Sequence, residues 1–389
     1  MLSASRILLR TRRMVPCAII AATLLLASTV FAQTPQSAPD PLAAQAEAAR
    51  QNGDIPRAID LYTQAVHTNP SWPDGWWYLG QMHYAANDYA QAVDAFTHYL
   101  DLVPNAAPAT ALRGLCEFET GQYDASLRDI QRALTLGAAD DSRNAQILRY
   151  HETLLLTRLG RFEEALAAAN YFAKQHLSSP DLYVALGLAG LRIPQLPANI
   201  TGEQREKCAT AGHAIFLLQS GDTPAANDAL QQFFARYPKT SNLHYTWGYL
   251  LYPTDQDAAI SEFRREVAVD PQNGVAHSML AWALLMDDDP AAALPEARQA
   301  AAVAPALQLA QLSLGRALLE TGDVKGSVPV LESALAIDPG NLEVHLALAR
   351  AYSESGREED ARRERLACLK MSEASAKETP AMGQQDEGP

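Results

Sequence analysis

The sequence has few cysteines and lacks the short motifs that carry familiar enzyme chemistry. Four cysteines occur among 389 residues, and no two of them form a Cys-x-x-Cys pair. No disulfide framework or zinc site is therefore predicted. The chain also contains no Gly-rich phosphate loop, no His-Glu-x-x-His and no Gly-x-Ser-x-Gly. These absences argue against nucleotide-dependent, zinc-protease and serine-hydrolase chemistry.

Acidic residues outnumber basic ones. The chain has 31 lysines and arginines against 45 aspartates and glutamates, a net charge of −14. No basic stripe stands out along the sequence. Nucleic acid and anionic lipid are therefore not expected as partners, because both are bound mainly through clustered Lys and Arg.

Long apolar runs are absent except for one near the start, at Cys17–Ala32. Four arginines precede this run, and Val30-Phe31-Ala32 closes it with small residues at the places a signal peptidase requires. Its 16 residues are fewer than the roughly 20 of a membrane-spanning helix. We predict a signal peptide over residues 1–32 and export to the periplasm or cell envelope, with an uncleaved membrane anchor as the alternative. A linker is predicted at 33–40 and a disordered tail at 372–389.

Two patterns that suggest metal sites are better explained otherwise. Asp287–Asp289 lacks the glycine and glutamate of a calcium loop and falls between two predicted helices, where a solvated turn is expected. His244, His277 and His345 recur at one phase of a repeat, which would place them roughly 10 Å apart, too far to share an ion. We predict that they pack between helices, and we predict no metal and no cofactor.

What the chain does have is a fixed period. The turn residues Gly53, Asn87 and Gly121 are spaced 34 apart, as are Gly322 and Gly356. The closing prolines keep the same interval, as between Pro305 and Pro339. A period of this size predicts a solenoid of stacked units, each made of two helices.

Small residues recur at fixed phases inside these helices, where two helices must approach closely. The second helix carries an alanine or serine at the same place in eight predicted units: Ala58, Ala92, Ser126, Ala165, Ala226, Ala259, Ala293 and Ser327. A ninth unit, Leu342–Met371, has Arg365 where an apolar residue is usual, which suits a terminal cap that faces water.

The pattern resembles the tetratricopeptide repeat. Trp76, Leu79 and Gly80 match its first helix, and Ala92, Phe96 and Pro104 match its second helix and closing proline. The resemblance covers most of residues 41–371 and implies an all-α fold, a right-handed α-solenoid of tandem antiparallel helix pairs with about eight to nine units. The rhythm is irregular at 180–219, where Pro180–Arg192 predicts a first helix without a second, followed by a proline-containing insertion at Ile193–Ile200.

In this family the inner, concave wall is lined by fixed positions of the first helices. Counting phase predicts a groove for a protein or peptide partner. Its predicted contact residues are Trp77, Gln81, Tyr84, Phe118, Tyr150, Arg158, Tyr245, Trp282, Arg316 and Arg350. Aromatic residues and arginine are the types that anchor protein interfaces.

The sequence therefore favours a non-enzymatic scaffold or adaptor that holds a partner peptide or helix. Two alternatives stay open at this point. One is a solenoid that binds a carbohydrate polymer on its aromatic residues. The other is a catalytic module around residues 193–213, where Cys208 and His213 lie near the insertion.

Overall fold

The computed structural model describes residues 41–138 and 142–378, and all their regular elements are helices. The predicted signal peptide and linker lie outside this part of the chain, as do residues 379–389 of the predicted tail. The chain divides into two compact units between Gly212 and His213, here called the N-terminal and C-terminal units. Within the described residues no helix is both long and apolar enough to cross a bilayer.

The N-terminal unit contains nine complete helices among its described residues. They are α1 (Pro41–Gln51), α2 (Ile55–Thr68), α3 (Pro73–Ala85), α4 (Tyr89–Leu102), α5 (Ala107–Glu119), α6 (Tyr123–Thr135), α7 (Ser142–Arg158), α8 (Phe162–Lys174) and α9 (Pro180–Gly190). A short 3₁₀ turn, Pro197–Asn199, follows α9. Helix α10 (Gly202–Gln219) carries the division between the two units.

The C-terminal unit continues with nine more helices in the described chain. They are α11 (Thr223–Arg236), α12 (Leu243–Leu251), α13 (Gln256–Val269), α14 (Gly274–Met286), α15 (Pro290–Val303), α16 (Gln308–Glu320), α17 (Val324–Ile337), α18 (Leu342–Glu354) and α19 (Glu358–Glu378). Helices pack as consecutive pairs, α14 with α15 and α16 with α17 for example, and α13, α15 and α17 each pack on the first helix of the next pair. The predicted all-α architecture of tandem helix pairs is confirmed.

The recurring turns explain why each pair folds back on itself. Gly322 adopts φ +90°, a left-handed conformation that costs glycine little, and Asp323 then caps α17 by accepting a bond from the Gly326 amide at 2.9 Å. The aspartates at 287–289 do the same. Asp288 lies at φ +59° and Asp289 caps α15 through the Ala292 amide at 3.0 Å. This stretch is a turn and a helix cap, as predicted.

The core lies where the paired helices approach most closely. The alanines of the second helices are fully buried, Ala92 and Ala259 among them. Gly114 shows how tight the contact is, because a Cβ placed there would lie 3.2 Å from the backbone nitrogen of Ile130. The small residues are required by packing, as the repeat phase predicted.

The irregular region differs from the expectation that α9 has no second helix. Helix α10 crosses α9 so closely that a Cβ at Gly187 would lie 1.9 Å from the carbonyl oxygen of Cys208, and one at Gly212 would lie 1.8 Å from that of Tyr183. Two backbones can meet at this distance only because both helices present glycine. Helix α10 therefore takes the place of the missing second helix, displaced along the chain by the insertion.

The last helix, α19, extends past Met371, the predicted end of the repeats, to Glu378. Arg365 is exposed, as expected of a cap. The same helix also exposes two leucines, Leu366 at 51% and Leu369 at 60%. The corresponding residue of the preceding pair, Leu335, packs into an apolar cluster with Val344 and Leu348 of α18.

Candidate functional site

Three of the ten predicted contact residues lie in the core. Gln81, Tyr84 and Tyr245 are 9%, 2% and 3% exposed. Tyr84 packs edge-on against Tyr89 with ring centroids 5.8 Å apart, and Tyr245 lies 6.0 Å from Phe263. Both rings thus pack on the second helix of their own pair. For these three residues the prediction of a partner contact is corrected, because neighbouring helices already cover them.

Trp77 is half-buried on α3. Its ring lies 5.7 Å from Phe96 and 5.4 Å from Tyr99, both on α4. One face of the indole therefore stabilises the α3–α4 pair, and only the remainder is available to a partner.

A second group of predicted residues meets at the ends of α5 and α7. Phe118 packs edge-on against Tyr123 at 6.0 Å and against His151 at 5.0 Å. The exposed Arg158 places its guanidinium 5.4 Å from the centre of the Tyr123 ring, a cation–π arrangement. We call Phe118, Tyr123, His151 and Arg158 the Phe118 cluster.

Burial sets the charge state around this cluster. It lowers the pKa of His151, whose Nδ1 lies 2.8 Å from the Ile147 carbonyl oxygen, so this ring is neutral at physiological pH. Burial also raises the pKa of Tyr150 to about 12, with a smaller contribution from Asp181, while Arg205 acts in the opposite direction. Arg158 is therefore the charged member of the Phe118 cluster.

In the C-terminal unit two predicted residues, Trp282 and Arg316, come together on two successive first helices, α14 and α16. Burial raises the pKa of Tyr252, which follows α12 directly, and Trp282 of α14 and Arg316 partly offset that rise. Arg316 of α16 lies over the Trp282 ring at 4.9 Å and donates to Glu320 at 3.3 Å. We call Tyr252, Trp282, Arg316 and Glu320 the Trp282 cluster.

Exposed apolar side chains flank the Trp282 cluster. Met286 follows Trp282 by one helical turn and is 41% exposed. On α18, Leu346 is 48% exposed and precedes Arg350 by one turn, and Arg350 pairs with Glu354 at 2.8 Å. Helices α14, α16 and α18 are neighbours. The surface thus combines aromatic, aliphatic and arginine groups, as protein-binding surfaces do.

The phase count missed two aromatic members of these clusters. Tyr123 opens a second helix, and Tyr252 follows a first helix that is only 9 residues long. The count took positions within first helices only, so neither residue was included. Tyr252 could have been found by allowing for the shorter repeat, because it lies two turns after Tyr245 on the same helical stretch.

The three histidines pack between paired helices, as predicted. His277 and His345 are buried, and the Nδ1 of each lies 2.6 and 2.7 Å from a carboxylate on the following helix, Glu296 and Glu364 respectively. His244 forms the same contact with Glu262 at 2.7 Å. No group of three or more His, Cys, Asp or Glu side chains able to hold a metal occurs within the described residues.

Two further features bear on the open alternatives. Cys208 is fully buried, and burial raises the pKa of its thiol to about 11, so it is a poor nucleophile at neutral pH. A cleft of about 360 Å³ lies between α11, α12 and α13, with Trp247, Leu230 and Arg265 in its lining. Trp247 is only 1% exposed, so its ring face is not open for a sugar to stack on.

Family models for the tetratricopeptide repeat match the chain at residues 43–107, 86–143, 154–208, 274–299 and 318–364. The chain belongs to the tetratricopeptide repeat family. The matches cover stretches of both units and agree with the helix pairs described above. The motif-based resemblance is therefore confirmed.

Several known proteins are similar to parts of this chain. The E3 ubiquitin-protein ligase CHIP of Arabidopsis thaliana is 26% identical over 97 residues, which are 25% of this chain and 35% of that protein. The solved structure of MamA residues 41 to the end from Desulfovibrio magneticus RS-1 is 18% identical, covers 43% of this chain and 96% of its own, and has a TM-score of 0.38. The Cut9–Hcn1 assembly of the APC/C is 15% identical over 85% of this chain and 79% of its own, with a TM-score of 0.33.

Proposed function

We propose that this tetratricopeptide repeat protein is a non-enzymatic scaffold, exported to the cell envelope, that binds a partner polypeptide on the exposed face of its first helices. The observation that carries the proposal is the contact of Arg316 with the Trp282 ring across two neighbouring first helices. Exposed Met286 on α14 and exposed Leu346 on α18 add apolar groups to the same set of neighbouring helices.

Such a surface suits a polypeptide with apolar side chains better than a highly charged ligand. Arg316 and Arg350 already pair with Glu320 and Glu354, so little uncompensated positive charge remains for an anion. The apolar and aromatic groups can anchor side chains of the partner, and a buried anchor of this kind typically contributes about 2 kcal/mol or more to binding.

The binding face is tested by site-specific photo-crosslinking in the host cell. A benzophenone amino acid at Met286 or at Leu346 should capture a partner polypeptide. Ile337 provides a matched control, because it is 42% exposed but lies on a second helix, α17. Equal crosslinking from Ile337 and Met286 would contradict the proposal.

Export has its own test. The N-terminal stretch with its arginines, apolar run and Val30-Phe31-Ala32 site supports it. Fractionation should recover the protein from the envelope compartment, and mass spectrometry should find a mature chain that begins at Gln33. A cytoplasmic chain that still includes Arg12 would refute export, whereas an envelope-bound one would indicate the anchor.

A further inference from the structure

The insertion that interrupts the repeats is a short proline-containing strap, residues Ile193–Ile200, which joins α9 to α10. Its sequence, Ile-Pro-Gln-Leu-Pro-Ala-Asn-Ile, has no charged side chain and contains a Pro-x-x-Pro spacing. Leu196 (φ −90°, ψ 154°) and Ile200 (φ −105°, ψ 150°) are extended on either side of the 3₁₀ turn. The Gln195 amide donates to the Ile193 carbonyl oxygen at 2.8 Å, so the chain turns at Pro194 as well. The strap thus has the composition of a proline-rich ligand and is extended at Leu196 and Ile200.

The two proline carbonyl groups of the strap are held by arginine. Arg158, at the end of α7, donates from Nη1 to the Pro194 oxygen at 3.3 Å. Arg205, in the first turn of α10, donates from Nη2 to the Pro197 oxygen at 3.1 Å. Pro194 and Pro197 are three residues apart, which is one turn of a polyproline II helix, so a ligand in that conformation presents both carbonyl groups on one side.

These arginines belong to a surface that extends beyond the strap. Arg158 is the charged member of the Phe118 cluster and lies over Tyr123. Arg205 also reaches Asp181 at 3.4 Å, and both of these groups act on Tyr150. Aromatic rings beside donors for carbonyl oxygens are the combination by which grooves recognise proline-rich segments.

The start of the strap is fixed by a sharp change of chain direction. Arg192 adopts φ +55°, which is uncommon for a residue with a side chain. Its guanidinium pairs with Glu163 and lies 4.7 Å from the centre of the Phe162 ring. The chain therefore leaves α9 in a defined direction that brings Pro194 to Arg158.

We propose that the strap is an internal occupant of a peptide-binding surface, and that this surface takes an extended, uncharged Pro-x-x-Pro segment of a partner in exchange for it. Arg158 and Arg205 would then donate their hydrogen bonds to carbonyl groups of the partner instead of those of the strap. The inference deepens the proposed function, on which it rests, by assigning the class of polypeptide that the N-terminal unit binds.

The competition between strap and partner makes the proposal measurable. A covalently attached segment acts at an effective concentration of about millimolar, so the intact protein should bind a free copy of the strap weakly. Replacing the strap by a flexible segment of equal length should tighten binding of the free copy by about tenfold or more.

The test uses the full-length protein and a fluorescently labelled peptide with the sequence of residues 193–200, with fluorescence anisotropy as the readout. The variant carries eight Gly and Ser residues in place of Ile193–Ile200 and should bind at least about tenfold more tightly than the parent. Adding Arg158→Ala to that variant should abolish the gain. A peptide with both prolines changed to alanine should bind about fivefold more weakly, because its backbone must be ordered on binding.

Three outcomes would overturn the inference. The first is a folded Gly/Ser variant that gains no affinity for the peptide, which would make the strap a connection only. The second is unchanged binding after Arg158→Ala. If the Gly/Ser variant does not fold, the proposal is tested by hydrogen–deuterium exchange of the parent protein. Excess peptide should displace the strap and so speed amide exchange in it. An unchanged exchange rate in the strap is the third outcome that would overturn the inference.

Failure here can be told apart from failure of the proposed function. Crosslinking from Met286 and Leu346 reports on the C-terminal unit and does not depend on the strap. A captured partner at those positions, together with no peptide binding at Arg158, would leave the scaffold function standing and remove only the strap as its internal ligand.

Discussion

Glu117 should make the protein less stable as the pH rises. This residue of α5 is only 7% exposed, and within the described part of the protein its Oε2 has no hydrogen-bond partner. Arg113, one turn earlier, is committed to Asp129 through bonds of 2.6 and 3.0 Å. Burial, with repulsion from Asp129, raises the pKa of Glu117 from 4.5 to about 7, although Arg113 and Arg128 act in the opposite direction.

The direction of the effect follows from proton binding. Between pH 4.5 and about 7 the folded protein keeps a proton on Glu117 that the unfolded chain has lost, so stability falls as the pH rises through this window. The full loss corresponds to about 3 kcal/mol, at roughly 1.36 kcal/mol per pKa unit. Glu117→Gln removes the ionisation and should therefore raise the free energy of unfolding by about 3 kcal/mol at pH 8 and by less than about 1 kcal/mol at pH 5.

The measurement is urea unfolding of parent and variant at both pH values, with native-state hydrogen exchange of α5 and α6 as a local readout. Comparing the two pH values cancels any packing change caused by the amide. Glu119→Gln, an exposed position on the same helix, is the matched control and should show no such pH dependence. An equal difference between Glu117→Gln and parent at pH 5 and pH 8 would refute the reasoning.

Three further expectations concern packing, binding and the role of the last helix pair as a cap. Gly114→Leu should lower the denaturant midpoint, by about 1–3 kcal/mol of stability or more, because even a Cβ would lie 3.1 Å from Asp129 Cβ; an unchanged midpoint would place the tight contact elsewhere. Trp282→Ala should weaken partner capture by more than its loss of stability explains, and equal losses in the two assays would make the indole a packing residue alone. Deleting Leu342–Met371 should promote aggregation, because it exposes apolar positions of α17. Light scattering measures the particle size, and a variant that stays monomeric would contradict this expectation.

Much of the fold follows from the sequence because local chemistry fixes it. Gly322 and Asp323 determine a turn and a cap whatever surrounds them, and the same pair of roles recurs at Asp288 and Asp289. Two-residue signals at a constant spacing are enough to place successive helix pairs. The small residues between them then fix which faces meet.

The pairing of α9 with α10 could not be predicted in the same way. Its signal is the contact of Gly187 and Gly212 with opposing backbone. Gly187 holds the usual glycine position of a first helix, but a long connection separates it from Gly212. Only the folded chain brings them together. A sequence pattern that depends on constant spacing necessarily fails where the connection changes length.

The sequence predicted only part of the candidate binding surfaces, for a related reason. Phase gives the side of a helix on which a residue lies, but not how closely the next helix approaches that side. Tyr245 and Trp282 were both placed on first helices, yet Tyr245 is buried by its own pair whereas Trp282 is only half-buried. The distance between neighbouring helices depends on the volumes of their side chains, and counting positions along one helix gives no information about those volumes.

The exposed leucines of α19 have a consequence for engineering the array. Leu369 stands 34 residues after Leu335, which packs against the apolar cluster that includes Val344 and Leu348 of α18. A helix like α18 fused after α19 would pack against Leu369 as α18 packs near Leu335. Burying Leu369 in this way would contribute about 1.5–3 kcal/mol to the free energy of unfolding. We therefore expect that copies of the repeat can be added after α19 without redesigning that helix.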